Sequence, residues 1–129
     1  MFVFYQPNPL GKSSNDCAVR AISKLFGMSW DEAFMLLVNE AYHQAEMPSS
    51  NAVIMAILRN RGFKKYNLIE NKYYTVSDFA DQHTYGVYAI FTGEHIVAEI
   101  DGDYYDAWDC GNEIPLSYWI CERREDLGV

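Results

Sequence analysis

Cys17 follows three loop-forming residues, Ser14-Asn15-Asp16, and opens the stretch Cys17 to Phe26, which Gly27 closes. Apolar positions 18, 21, 22, 25 and 26 share one face of a helix, and Ser14, Asn15 and Asp16 are all residue types that cap helix starts. A cysteine in the first turn of a helix lies beside unpaired backbone N–H groups and the positive end of the macrodipole. Both favour thiolate over thiol, and thiolate is the nucleophile. The Cys17 N–H would also point toward an oxyanion formed at an attacked carbonyl. Such a nucleophile needs an imidazole within hydrogen-bond reach, and the imidazole needs an orienting group. Of the three histidines, His95 opens a strand-like run after Thr92-Gly93-Glu94, where a side chain can face a cleft. His43 falls in the polar part of a helix and His83 at a helix end, where surface or capping roles suffice.

The orienting acid depends on a hairpin register. If Asp101-Gly102 forms a two-residue turn, Ile100 faces Asp103, His95 faces Trp108, and Asp106 lies diagonally beside His95. If the loop takes three residues with a bulge, the register slips by one and Asp109 shares the face of His95 instead. Asp106 is the preferred acid, with Asp109 as the alternative third member. Other groupings carry less. Asp101, Asp103, Asp106 and Asp109 lack the spacing and Glu of a calcium loop. His95, Asp106 and Cys110 lack a fourth ligand for zinc, so no metal is expected. Cys110, at a strand end, has no helix dipole to activate it, and Cys121 reads as core.

The elements that must position these groups follow from local signals. A second helix opens at the capping box Ser29-Trp30-Asp31-Glu32 and runs to about Gln44, with Met47-Pro48 ending it. A third opens in Ser49-Ser50-Asn51 and runs through Asn60 before Gly62. After Gly62 the period changes: Phe63 to Ile69 reads as extended, and Thr75-Val76-Ser77-Asp78 caps a short helix to about Gln82. Strands are expected at Gly86 to Phe91, His95 to Ile100, Asp103 to Trp108 and Ser117 to Glu122. Helices first and an antiparallel meander second predict an α+β fold. No repeat, linker or low-complexity tract divides residues 1–129, so one domain is expected.

Composition narrows the function classes. The 129 residues are half hydrophobic and 16% aromatic, which excludes disorder. The ten tyrosines suit an ordinary sheet. A net charge of −8 repels phosphate backbones, so no nucleic-acid partner is expected. No apolar stretch approaches the roughly 20 residues of a membrane span, and Met1 to Pro7 carry no basic n-region of a signal peptide. Three cysteines without a CxxC pair predict a reducing, cytoplasmic setting. Glu122 to Asp126 mixes both signs and reads as a solvated tail.

A cysteine opening the first long helix, then a histidine and an acid on adjacent strands, resembles the papain-like cysteine peptidases. Asn15-Asp16-Cys17-Ala18 looks like the Asp-Cys entry of their bacteriocin-processing type. Asp106-Ala107-Trp108 is similar to the Asn-Ser-Trp of papain, whose amide orients the histidine and whose indole shields that bond. Gly86 to Phe91, with Gly93 and His95, looks like the strand-turn-strand that delivers the histidine. The order of Asn8-Pro9, Asp16-Cys17, Arg20-Ala21-Ile22, Ser29-Trp30-Asp31-Glu32-Ala33, Arg61-Gly62-Phe63 and Tyr105-Asp106-Ala107-Trp108-Asp109 also resembles a group of small proteins from bacteriophages and prophages. The resemblance implies a papain-like fold, an N-terminal helical half packed on a C-terminal antiparallel sheet. It implies a cysteine hydrolase (peptidase, isopeptidase or amidase) acting through a thioester with Cys17, His95 and Asp106, without metal or cofactor. The substrate would be a protein or peptide, including a host bacterial protein in the host cytoplasm. The alternative is a catalytically inactive papain-like phage protein that binds and modulates a host protein. Papain-like enzymes place a glutamine a turn or two before the cysteine for the oxyanion; that position falls near Gly11, and Gln6 and Asn8 are the nearby amides.

Overall fold

The computed structural model describes residues 1–127. Each of the expected helices forms where its local signals lie: α1 over Cys17–Phe26, α2 over Trp30–Gln44, α3 over Asn51–Asn60 and α4 over Val76–Gln82. Gly27 ends α1 in the left-handed conformation, at φ 63°, which costs a residue without Cβ little. The Ser29–Glu32 capping box closes on itself at both ends, and Thr75 with Asp78 does the same for α4. Ala45, also left-handed, stops α2 before Met47-Pro48 is reached.

The strands are β1 over Phe2–Phe4, β2 over Phe63–Asn67, β3 over Val87–Phe91, β4 over Ile96–Ile100, β5 over Asp103–Asp106 and β6 over Ser117–Cys121. They form one sheet in the order β1-β5-β4-β3-β6-β2. The purely antiparallel expectation is corrected in one place, because β1 pairs with β5 in parallel. That pairing joins segments about a hundred residues apart, which no local pattern announces. Ile100 lies opposite Asp103, and Asp101 and Gly102 both have positive φ, 54° and 91°. This is the two-residue turn whose twist matches that of its strands.

Helices α1, α2 and α3 cover one face of the sheet. Ile22, Leu25, Leu37, Val53 and Leu58 meet Val87, Ala89, Ala98 and Trp119 there. On the other face Val76, Phe79 and Ala80 of α4 pack with Ile90, Val97, Tyr104 and Cys110. Burial on both sides explains why β3 and β4 are apolar almost throughout. Of the charged segment near the end, Glu122, Arg123, Glu125 and Asp126 are exposed as expected of a solvated tail, and Arg124 alone is docked. Arg124 forks onto Asp101 with two bonds of 2.6 Å, and Leu127 is buried. Among the described residues no helix is long and apolar enough to cross a membrane.

One buried acid stands apart from the site. Glu99 on β4 is fully enclosed; its Oε1 accepts the Gly102 N–H at 2.6 Å and its Oε2 has no hydrogen-bond partner. Burial pushes its carboxyl up to about 8, against the pull of the Gly102 N–H. The folded chain therefore keeps this proton through a range in which the unfolded chain, near 4.5, releases it. Stability is lost as pH rises from that ordinary value toward 8. Each unit of separation is worth about 1.4 kcal/mol. Glu99→Gln is thus expected to raise the melting temperature at alkaline pH by roughly 5–10 °C and to leave it nearly unchanged in mild acid. Thermal melts by circular dichroism across that range check this; an offset independent of pH would refute it.

Candidate active site

Cys17 is the first residue of α1, half-buried, and α1 lies against β4. Asp16 occupies the N-cap, but its side chain makes no capping bond. Its carboxylate turns inward: Oδ1 accepts Arg20 Nη1–H at 2.6 Å and Oδ2 accepts Trp30 Nε1–H at 2.9 Å. The backbone N–H groups of the first turn are thereby left without a side-chain acceptor from the N-cap.

His95 sits just ahead of β4, and its Nε2–H donates to Asp106 Oδ2 at 2.6 Å. With Nε2 so engaged, Nδ1 is the nitrogen left to meet the Cys17 thiol, whose ionised form His95 favours. The Ile96 N–H also favours a charged sulfur. Burial works against a charged Cys17, but the His95 and Ile96 bonds and the charges of His95 and Arg20 outweigh it and hold the thiol below its ordinary value. Burial likewise opposes a charged imidazole, yet bonds to Asp106, Cys110 and Cys17 push His95 up to about 11. The two shifts have opposite signs and favour one arrangement, with the proton toward His95 and negative charge toward the Cys17 sulfur.

Asp106, at the end of β5, is almost wholly buried. Burial raises its carboxyl, and the bonds to His95 and Cys110 with the charges of His95 and Arg20 bring it below the ordinary range. Arg20 Nε and Nη2 both reach its Oδ1 at 2.9 Å, and the Ala107 N–H donates to the same oxygen at 2.8 Å. The two-residue turn also directs Trp108 toward His95, and the rings lie 4.9 Å apart.

The alternative acid is engaged elsewhere. Asp109 Oδ1 accepts Tyr104 Oη–H at 2.7 Å and the Gly111 N–H at 2.9 Å, so it belongs to the β5 exit loop. Gln6 and Asn8 are also placed away from the thiol. Gln6 Nε2 donates to the Lys12 carbonyl at 3.3 Å, and Asn8 Oδ1 accepts from the Leu10 N–H at 2.9 Å. These amides shape their own loop, and neither lines the cleft. The cleft amide beside the nucleophile is Asn15, two residues before it. His43 and His83 bond carbonyls one turn back in their own helices, at 2.8 and 2.7 Å.

The donors of His95, Asp106 and Cys110 lie within 4.8 Å of one another. They make a poor cation site. Asp106 Oδ1 already meets a guanidinium and Oδ2 an imidazole N–H, and burial pushes the Cys110 thiol up to about 11. Cys110 is therefore a neutral donor at the base of the pair, and its state argues against its serving as nucleophile. Sequence reasoning missed Arg20 and Trp30 as neighbours of the site, and it grouped Cys110 with His95 and Asp106 only as an incomplete zinc set. An arginine four residues after Asp16, at the spacing of a helical ion pair, was the available signal for the first.

The cleft itself encloses about 690 Å³ and is lined by Cys17, His95, Trp108, Asn15, Asn51 and Glu94 among others. If Asp106 orients and charges His95, Asp106→Asn should lower Cys17 alkylation near neutral pH by about tenfold or more, since losing an adjacent opposite charge moves a pKa by roughly 1–3 units. Asp109→Asn should change it by less than about twofold. Intact-mass kinetics with iodoacetamide measure both, and equal effects would remove the distinction between the two acids. No family model matches this chain, and no curated protein or solved structure matches it.

Proposed function

We propose that this chain is a cysteine hydrolase of papain-like type that cleaves a peptide, isopeptide or related amide. One observation carries the reading: a half-buried thiol at an uncapped helix start shares a cleft with an imidazole whose Nε2 lies 2.6 Å from a buried carboxylate. The α+β arrangement, with the nucleophile on a helix and the base on the sheet, supports it.

The steps follow from the charge states. Cys17 Sγ, already thiolate, attacks the amide carbon; an S–C bond forms, and the carbonyl electron pair moves onto oxygen. That oxyanion lies toward the N–H groups of the α1 start, with the Asn15 amide on the same rim. His95 gives its proton to the leaving nitrogen, the C–N bond breaks, and an amine departs from a thioester. Neutral His95 then takes a proton from water, whose oxygen attacks the thioester carbon. The acid leaves, and the proton restores the imidazolium beside the thiolate. Asp106 holds the ring and its charge throughout, and it stays ionised. Nothing in this sequence calls for a group the chain does not supply.

A cysteine-reactive acyl electrophile tests the reading. A peptidyl fluoromethyl ketone is expected to label Cys17 alone, and labelling should vanish in Cys17→Ala and fall sharply in His95→Ala. Labelling spread over Cys110 and Cys121, or indifferent to His95, would sink it.

A further inference from the structure

β2 closes one end of the sheet, so one of its two edges has no neighbouring strand. Just past β2, the Leu68 N–H donates to the Leu116 carbonyl at 2.9 Å, one step beyond the Asn67–Ser117 pair. Antiparallel pairs alternate between bonded and unbonded, so Lys64 and Tyr66 exchange bonds with β6. The N–H and C=O groups of Phe63, Lys65 and Asn67 therefore point away from the sheet.

Positive charge gathers at this same edge. The chain carries a net charge of −8, yet residues 47–69 hold Arg59, Arg61, Lys64 and Lys65 and no Asp or Glu. All four are exposed, and among the described residues none of them forms an ion pair. Arg59 lies over the Trp119 ring at 5.7 Å, and Arg61 over Phe26 at 4.5 Å. Lys65 pairs with Trp119 across the ladder, so it shares the α3 side of the sheet with Arg59. Side chains alternate along a strand, so Lys64 falls on the opposite side, 5.8 Å from the Tyr66 ring.

We infer that this edge is a docking site for an acidic peptide, which adds to the sheet as a further strand beside β2. Open backbone groups at strand spacing recognise another peptide chain, and the flanking side chains select its charge. Asp or Glu on one face of the incoming strand meets Arg59 and Lys65, and on the other face Lys64. A second copy of this chain fits poorly, because antiparallel pairing centred on Lys65 sets lysine against lysine. Nucleic acid offers phosphates but no N–H and C=O groups in the order that continues a ladder. Lysines on an open edge also keep identical chains apart, but Arg59 and Arg61 lie outside the strand and exceed that need. The inference is independent of the hydrolase reading, since none of these residues lines the cleft.

The test uses the full chain and fluorescein-labelled seven-residue peptides in which Val alternates with Glu, Gln or Lys. By anisotropy the Glu peptide is expected to bind at least about tenfold more tightly than the Gln peptide, and the Lys peptide not at all. Raising salt from about 0.01 to 0.15 M shortens the screening length from roughly 30 to 8 Å and should weaken the Glu peptide severalfold. Lys64→Glu with Lys65→Glu should abolish binding, and Lys64→Gln with Lys65→Gln should weaken it by about tenfold. Equal binding of the three peptides, or binding indifferent to both double variants, would overturn the site. Amide hydrogen exchange followed by NMR reads the mode of docking. With the Glu peptide bound, the Lys65 and Asn67 N–H groups should become protected, while those of Lys64 and Tyr66, already bonded to β6, should change by less than about twofold. Binding without that alternation would overturn strand addition, as would tighter binding of a single-stranded oligonucleotide of equal charge. The same protection arising with chain concentration alone would assign the edge to a second copy and overturn the acidic-peptide reading.

Discussion

His95→Ala is expected to shift the alkylation profile of Cys17 from the acid side of an ordinary thiol to its alkaline side. In the wild-type chain the charges of His95 and Arg20 and the Ile96 N–H lower the thiol, against a burial cost that is the largest single influence on the sulfur. Remove the imidazole and burial meets less opposition, so the thiol rises. An unperturbed thiol near 8.5 is only a few per cent ionised at neutral pH. The wild-type advantage in thiolate is partly cancelled because a low-pKa thiolate is a poorer nucleophile. The net expectation is a wild-type rate at pH 7 roughly ten- to fiftyfold above that of the variant. Cys110 and Cys121, both buried and both pushed upward by that burial, should react slowly in either protein.

The sign on the alkaline side separates two activities. His95 keeps its proton up to about 11. Alkylation needs only the thiolate and should stay on its plateau there, whereas turnover needs the imidazolium to protonate the leaving group and should fall. As pH drops, the thiolate takes up a proton, and both activities decline together. Rate profiles of labelling and of amide cleavage, measured on the same preparation, should therefore coincide in acid and part in alkali.

Arg20→Met should be the most destabilising conservative substitution in the site. Arg20 lies between Asp16 and Asp106, and all three are nearly inaccessible. Its guanidinium bonds one carboxylate through Nη1 and the other through Nε and Nη2. Removing the guanidinium takes one positive charge from between two buried carboxylates and leaves them only the imidazolium. Breaking a buried pair while leaving its partner charged costs about 3–5 kcal/mol. In a domain whose whole stability is roughly 5–15 kcal/mol, that is a melting temperature lower by about 10–20 °C. Methionine fills similar space, so the loss would reflect charge more than volume. Asp106 is held below its ordinary range, partly by this charge. Its stabilising share is present above the unfolded pKa and disappears as pH falls through the folded one, so the deficit should shrink in acid.

Arg20→Lys supplies the charge as a point and cannot fork onto both acids. It should recover part of the stability and less of the Cys17 reactivity, because the surplus negative charge at Asp106 or Asp16 disfavours the thiolate. A loss below about 1 kcal/mol in the methionine variant, as for an exposed ion pair, would show that the network does not hold the site together.

Much of this arrangement was legible residue by residue, and the reason is range. Capping boxes at Ser29–Glu32 and Thr75–Asp78, the glycine after Phe26 and the turn at Asp101-Gly102 act over three or four positions, where side chain and backbone meet whatever the rest of the chain does. The turn also fixed the register, and register decided that Asp106 rather than Asp109 lies beside His95. Asp16 shows where local reasoning stops. Its type and place suit a cap, yet its carboxylate is drawn inward by an arginine one turn on and an indole on the next helix.

By itself the sequence determined which segments are helical or extended, and that a cysteine opens the first helix. Only the tertiary structure decided that Arg20 reaches an acid 86 residues away, that β1 lies parallel to β5, that Cys110 sits beneath His95, and that Gln6 and Asn8 bond within their own loop. Those outcomes turn on charges and edges that must be satisfied once water is excluded, and the partner that satisfies each is set by the packing of distant segments.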